Sequence, residues 1–219
     1  FIDLHAHFRD PGLEWNEDIY SGARAGAAGG FTTMVAMPNT KPAISEPSLV
    51  EYVLTHSKKA NASRILPAGC VSKNREGKEM AELLKMTESG AVFFTDDGDP
   101  VSTSDLLRLA LLYTGKNQPR IMEHPEEKSL FIGGQVHEGR VSALSGLKGI
   151  PEATEEIDVA RGISLTRETS GRIHFTHLSS AGSVELIRQA KKEGLDVTCD
   201  TTFHHLTLNE NAVINSGYD

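Results

Sequence analysis

The sequence predicts an α/β fold, a (β/α)8 TIM-type barrel represented by about seven βα units, and three observations carry that prediction. Short apolar or β-branched runs alternate with longer segments of helical period, as in βα units around a parallel sheet. Seven such runs can be counted, one short of a closed barrel. Metal-ligand residue types gather at the C-terminal ends of these runs, the face where such barrels build their sites, and nothing comparable stands at the opposite ends. The competing architecture is an open doubly wound sheet, which ranks lower because no Gly-rich phosphate fingerprint follows the first run.

In chain order the expected strands are 1–8, 31–37, 64–71, 91–95, 120–123, 172–177 and 196–202. The first, FIDLHAHF, reads as a buried strand already in progress. Between strands, Ser45 to Lys58 is expected as a helix capped by Ser45, with Leu49, Val53 and Leu54 as its buried stripe. Ser180 to Glu193 is expected as another, with Val184, Ile187 and Ala190 on one face and Gly194 as its stop. The stretch 126–150 holds Gly133, Gly134, Gly139, Gly146 and Gly149 with little periodicity, and is expected to be a long, mobile loop.

With 219 residues, 38% hydrophobic and 24% charged, the chain suits one globular domain, taken as 1–219. No apolar run approaches the length that spans a bilayer, so no membrane role is expected. A net charge of -8 and the lack of any clustered Lys and Arg argue against a nucleic-acid partner. Cys70 and Cys199 lie far apart without a CxxC pairing, which fits a reducing cytoplasm rather than a disulfide framework. The opening residue, Phe1, is not a natural initiator, and the domain is expected to be truncated at both ends.

The chemistry begins at His5-Ala6-His7. Side chains two apart on a strand share a face, so both imidazoles can approach one metal ion, although the pair alone could also be a packing feature. Arg9, in the turn Phe8-Arg9-Asp10-Pro11-Gly12, is either a clamp for an anionic substrate or a surface arginine paired with Asp10. Asn39, in Met37-Pro38-Asn39-Thr40, could donate to the same anion or simply serve the turn. Asp96 and Asp97 follow the fourth strand, His124 the fifth and His177 the sixth. Each is weak alone, but together they make the layout of a catalytic site for two zinc ions with positions open to water. His56 is read as solvent-facing and His137 as a loop residue, while His174, three before His177, is read as packing. His204 and His205 stay open.

These residues resemble the class I dihydroorotases of the amidohydrolase superfamily. The likeness covers nearly the whole chain, through DLHAHFRDPG, TTMVAMPNTKP, FFTDDG, MEHPE, the GIP before Glu152, HLSS with SVELIRQAK behind it, and HHLTL. It implies a zinc-dependent enzyme, with one or two ions and two preferred, that interconverts N-carbamoyl-L-aspartate and L-dihydroorotate in pyrimidine synthesis. It further implies that His5 and His7 bind one zinc, His124 and His177 the other, and that Asp97, rather than Asp96, bridges them. Arg9 and Asn39 would hold the substrate carboxylate, and the same resemblance allows a homodimer.

The family's eighth-strand aspartate, its general base and acid, and its flanking β-sandwich have no counterpart in this sequence, and Phe203 stands where the family has proline. Related hydantoinases and allantoinases bridge their metals with a carboxylated lysine, and no Lys occurs between Ala91 and Gly98. The rival readings are such a cyclic-amide hydrolase and a catalytically silent barrel acting as partner or scaffold.

Overall fold

A computed structural model describes residues 1–217. The strands are β1 (Ile2–Ala6), β2 (Thr33–Ala36), β3 (Arg64–Gly69), β4 (Phe93–Phe94), β5 (Arg120–Glu123), β6 (Val136–His137), β7 (Gly149–Ile150), β8 (Ile173–Phe175) and β9 (Val197–Cys199). The helices are α1 (Ile19–Ala28), α2 (Pro47–Ala60), α3 (Leu83–Ser89), α4 (Ser104–Thr114), α5 (Arg140–Ser145), α6 (Ala153–Thr169), α7 (Ala181–Lys192), α8 (Phe203–Thr207) and α9 (Asn211–Asn215). Each of the seven expected runs contains one strand, and these join in a single sheet in the order β1-β2-β3-β4-β5-β8-β9, every pair parallel. The strands are shorter than the runs because the last residues of several runs leave the ladder to build the site.

The period of two sorts the sheet's side chains onto two faces. Met34, Ala36, Ile65, Phe94, Ile121 and Phe175 pack under the helices against residues such as Ile19, Val53, Leu107, Val159 and Ile187. Val35, Met37, Ala68 and Met122 form a smaller cluster on the opposite, concave face with Leu4, Val92 and Phe93. Burial of each such large side chain contributes about 1.5–3 kcal/mol relative to exposure, so apolar packing rather than helix propensity holds the layers together. Together these features make seven strands of a (β/α)8 arrangement.

Two expectations are corrected. The stretch 126–150 is not one long loop: β6 and β7 form a separate two-stranded parallel sheet, with α5 between them and Val136 and Val141 buried. Strands of two residues are too short to display any period, and Gly149 permits the pairing because a Cβ there would lie 2.7 Å from the Glu138 Cα. Helix α2 starts at Pro47, with Glu46 as a cap residue that makes no side-chain bond, whereas Ser45 is buried with its hydroxyl 3.5 Å from Asn74 Oδ1. Proline at the first helical position supplies a preset φ in place of a capping bond. By contrast Ser180 does cap α7, accepting from the N–H groups of Gly182 and Ser183.

Both cysteines are free thiols, Cys70 buried and Cys199 exposed. Among the described residues no helix is long and apolar enough to cross a membrane.

Candidate metal centre

The site begins with a β-bulge. Along β1 and β2, Asp3 pairs with Met34 and Ala6 with Ala36, so β1 spends one extra residue at Leu4–His5. A bulge re-aims the side chain that follows it. Leu4 faces the concave cluster and His5 turns toward the mouth, while the His5 N–H donates to Asp3 Oδ1 at 3.0 Å. His5 thus reaches the same point as His7 through a local irregularity rather than through simple alternation. Their Nε2 atoms lie 3.2 Å apart.

The outer nitrogens of the two rings are both engaged. His7 Nδ1–H donates to Asn39 Oδ1 at 3.0 Å, and His5 Nδ1 bonds the Thr176 hydroxyl at 2.9 Å. Each Nε2 lone pair is therefore left facing the site. Burial pushes the His7 imidazole below its ordinary value, outweighing the opposing pull of the Asp97 charge, and this favours the unprotonated ring that a metal needs.

Asp97 is the centre of the group. His5 Nε2 and His124 Nδ1 are each 3.3 Å from its Oδ1, His177 Nε2 is 3.9 Å from Oδ1, and His7 Nε2 is 3.6 Å from Oδ2. Burial alone would raise this carboxyl, but the His124, His177 and His5 imidazoles gathered on it outweigh that push and hold it well below the usual carboxylate range. Asp96 turns the other way: its Oδ1 accepts from the N–H groups of Val71 and Ser72, and its Oδ2 from the Ser72 hydroxyl at 2.6 Å. The two adjacent acids thus have separate tasks, one at the cluster and one holding the loop after β3.

Around this centre the remaining candidates take their places. Asn39 sits within the cluster, its Nδ2 donating to Asp97 Oδ2 at 3.4 Å. Arg9 does not pair with Asp10, because Asp10 is buried and accepts from Tyr52 Oη at 2.8 Å and from the Ile19 N–H. The Arg9 guanidinium makes no hydrogen bond or ion pair among the described residues, although it lies near enough to His7 to disfavour protonation there. Gly12 closes the loop at φ +95, where an added Cβ would lie 1.7 Å from the Lys41 carbonyl oxygen, so only glycine fits.

His56, expected at the surface, is instead half-buried and stacks on Tyr52 at 3.9 Å between ring centroids. His174 is buried as expected, but it also bonds Thr198 and Asp200. His137 pairs with Glu152 at the surface, and His204 and His205 are exposed and stand apart from the cluster. Sequence reasoning passed over Thr176 and Asp200, which touch the cluster from behind; no spacing rule marks a lone Thr or Asp as such a support. A cavity of about 370 Å³ beside the site contains none of the cluster's histidines, and several of its lining charges pair with one another, as in Arg75–Asp99 and Lys128–Asp99.

The donor set fits a metal. Ligand atoms of His5, His7 and Asp97 lie mutually within 4.8 Å, and so do those of Asp97, His124 and His177. Two imidazole nitrogens on one tetrahedral zinc, each about 2.0–2.1 Å from the ion, stand about 3.3 Å apart. The His5–His7 separation of 3.2 Å and the His124–His177 separation of 3.0 Å are close to that value. Imidazole and carboxylate donors without thiolate are the chemistry of an open catalytic site.

A parallel βα sheet with such a cluster at its C-terminal mouth defines the class of metal-dependent amidohydrolase barrels. The chain belongs to the dihydroorotase-like family, whose model, "Dihydro-orotase-like", matches residues 1–183. It is 46% identical over 218 residues to a dihydroorotase of Pelotomaculum thermopropionicum, covering 100% of this chain and 50% of that protein. It is 44% identical over 217 residues to one from Aquifex aeolicus, covering 99% and 51%. The chain thus spans about half the length of the curated relatives it matches.

Among solved structures, an L-hydantoinase (dihydropyrimidinase) from Arthrobacter aurescens superposes with a TM-score of 0.77 at 23% identity, over 99% of this chain and 49% of that one. A dihydroorotase from Saccharomyces cerevisiae, in complex with 5-fluoroorotic acid, gives 0.66 at 18% identity, over 96% and 58%. At these identities the likeness is one of fold.

Proposed function

We propose that the protein containing this chain is a zinc-dependent dihydroorotase, which interconverts N-carbamoyl-L-aspartate and L-dihydroorotate in pyrimidine biosynthesis. The observation that carries the reading is the convergence of four imidazoles on the buried Asp97 carboxylate, with the Arg9 guanidinium, unpaired among the described residues, close by. The curated relatives at 42–46% identity bear the name dihydroorotase and support the choice of substrate.

In this reading His5, His7 and Asp97 hold one zinc ion, and Asp97, His124 and His177 hold a second. A metal held there would supply Lewis-acid chemistry, polarising a carbonyl and acidifying water. The protein's own groups do the rest. Arg9 and Asn39 bind and orient the substrate carboxylate, Arg9 through a charge-assisted fork. Asn39 keeps His7 turned with Nε2 inward, and Asp97 stays ionised at the centre. Residues 1–219 supply the truncated barrel domain of an enzyme that acts in the cytoplasm on a small molecule, an arrangement that also allows a homodimer.

The test is turnover by the full-length protein, loaded with zinc, of dihydroorotate, hydantoin and allantoin in parallel. Dihydroorotate alone should be converted at an appreciable rate. Preferential turnover of hydantoin or allantoin would assign the protein to those activities, and no turnover of any substrate by zinc-loaded protein would favour a silent barrel.

A further inference from the structure

Asp200 follows β9, at the far edge of the sheet from β2, and its carboxylate reaches behind the cluster. It accepts from His174 Nε2–H at 2.9 Å, from the Thr176 hydroxyl at 3.2 Å and from the backbone N–H of His177. Because Thr176 gives its only hydroxyl proton to Asp200, it can only accept from His5 Nδ1–H. The relay runs His5 Nδ1–H to Thr176 Oγ1 to Asp200, and it turns His5 Nε2 toward the proposed metal position beside Asp97. His177, in turn, leaves β8 at φ 45, a left-handed conformation uncommon outside glycine. The bond from its N–H to Asp200 holds the chain at that turn.

We propose that Asp200 is a positioning residue that serves both halves of the cluster, fixing the His5 tautomer through Thr176 and the exit of His177 through its backbone. The inference rests on the reading of the cluster as a metal centre. It assigns a task to a carboxylate that lies outside both groups of candidate ligands. The pairing of His174 with the second carboxylate oxygen, and with Thr198, keeps Asp200 from rotating away. Partners of this kind typically change metal affinity by about 10–100-fold when removed.

The experiment compares the full chain with its Asp200→Asn and Thr176→Val variants, each checked for folding by circular dichroism. Cobalt(II) titration is followed by visible absorption, and long-range ¹H–¹⁵N spectra of the metal-free protein read the His5 tautomer. Asp200→Asn should weaken cobalt binding by about 10–100-fold and move the visible band. In both variants the Nδ1–H form of His5 should give way to a tautomer mixture, and the double variant should be little worse than Asp200→Asn, because the Thr176 route passes through Asp200. If Asp200→Asn does not fold, Thr176→Val decides by the same readouts. Wild-type affinity and an unchanged His5 tautomer in a folded variant would overturn the inference while leaving the metal reading intact. Failure of the wild-type chain to take up cobalt would overturn the metal reading and this inference with it.

Discussion

Arg9 and Asp10 are neighbours with opposite surroundings, and the contrast shapes two predictions at the scale of single residues. Arg9, at φ 60, keeps its guanidinium unpaired among the described residues, whereas Asp10 is spent inside the protein on Tyr52 and the start of α1. Replacing Arg9 by Ala in the active enzyme should therefore raise KM for dihydroorotate far more than it alters metal content. The lost charge-assisted contact is worth about 2–3 kcal/mol, or about one to two decades in kcat/KM. Steady-state kinetics beside elemental analysis will show this, and an unchanged KM would return Arg9 to a structural role.

Tyr52 supplies the second. Burial, followed by the bond and negative charge of Asp10, pushes its hydroxyl up to about 12. Because the folded value lies above the ordinary one near 10, its contribution is complete below pH ~10 and is lost as pH rises from there through about 12. Tyr52→Phe leaves Asp10 without that donor and should cost about 1–3 kcal/mol at neutral pH. Urea midpoints at pH 8 and pH 11 should show the gap between wild type and variant narrowing at the higher pH.

Among the elements, α6 and β5 are joined by a buried ionic network that frames His124. Arg161 on α6 bonds the wholly buried Glu123 at 2.9 Å and lies in ion-pair contact with Asp158 at 2.7 Å, and Asp158 accepts the Glu126 N–H just past His124. Glu123 Oε1 also accepts the Val101 N–H, which ties the loop after β4 to the same point. Burial pushes both the Glu123 and Asp158 carboxyls up, and Arg161 counters that push in each. Removing the shared cation leaves two buried acids facing each other. Arg161→Met should therefore destabilise the fold by about 3–5 kcal/mol. Chemical denaturation measures the loss, and a cost below about 1 kcal/mol would mean that the network contributes little.

For the whole molecule, the cluster draws its side chains from β1, β4, β5 and β8 or the turns that follow them, so a bound metal would clamp segments from residue 5 to residue 177. Anything that binds the folded chain alone stabilises it by mass action, by about 2.7 kcal/mol at a free concentration one hundred times Kd. Zinc should accordingly raise Tm by about 5–10 °C for a chain of this size, and a chelator should reverse the gain. A scan showing no zinc-dependent shift would count against the metal centre. The bulged β1 and the β9 edge, each paired on one side only among the described residues, should exchange amide hydrogens before the central β3 and β5.

The sequence by itself determined the parallel βα order, because seven apolar runs separated by helical segments have few other ways to bury both faces. It also marked His5, His7, His124, His177 and the pair Asp96–Asp97, since motif chemistry at strand ends is written in residue type and spacing, and the family resemblance chose Asp97 of the two. The helix start at Pro47 and the small β6–β7 sheet escaped it, as local patterns are ambiguous where an element is short or capped without a side chain. Only the tertiary structure decided that a bulge, rather than alternation, turns His5 inward, and that Asp96 and Asp97 face opposite ways. The partnership of Thr176 and Asp200 with the cluster likewise joins residues 171 positions from His5 and beyond. Hydrogen-bond partners at that separation depend on strand register and side-chain direction, which no local spacing encodes.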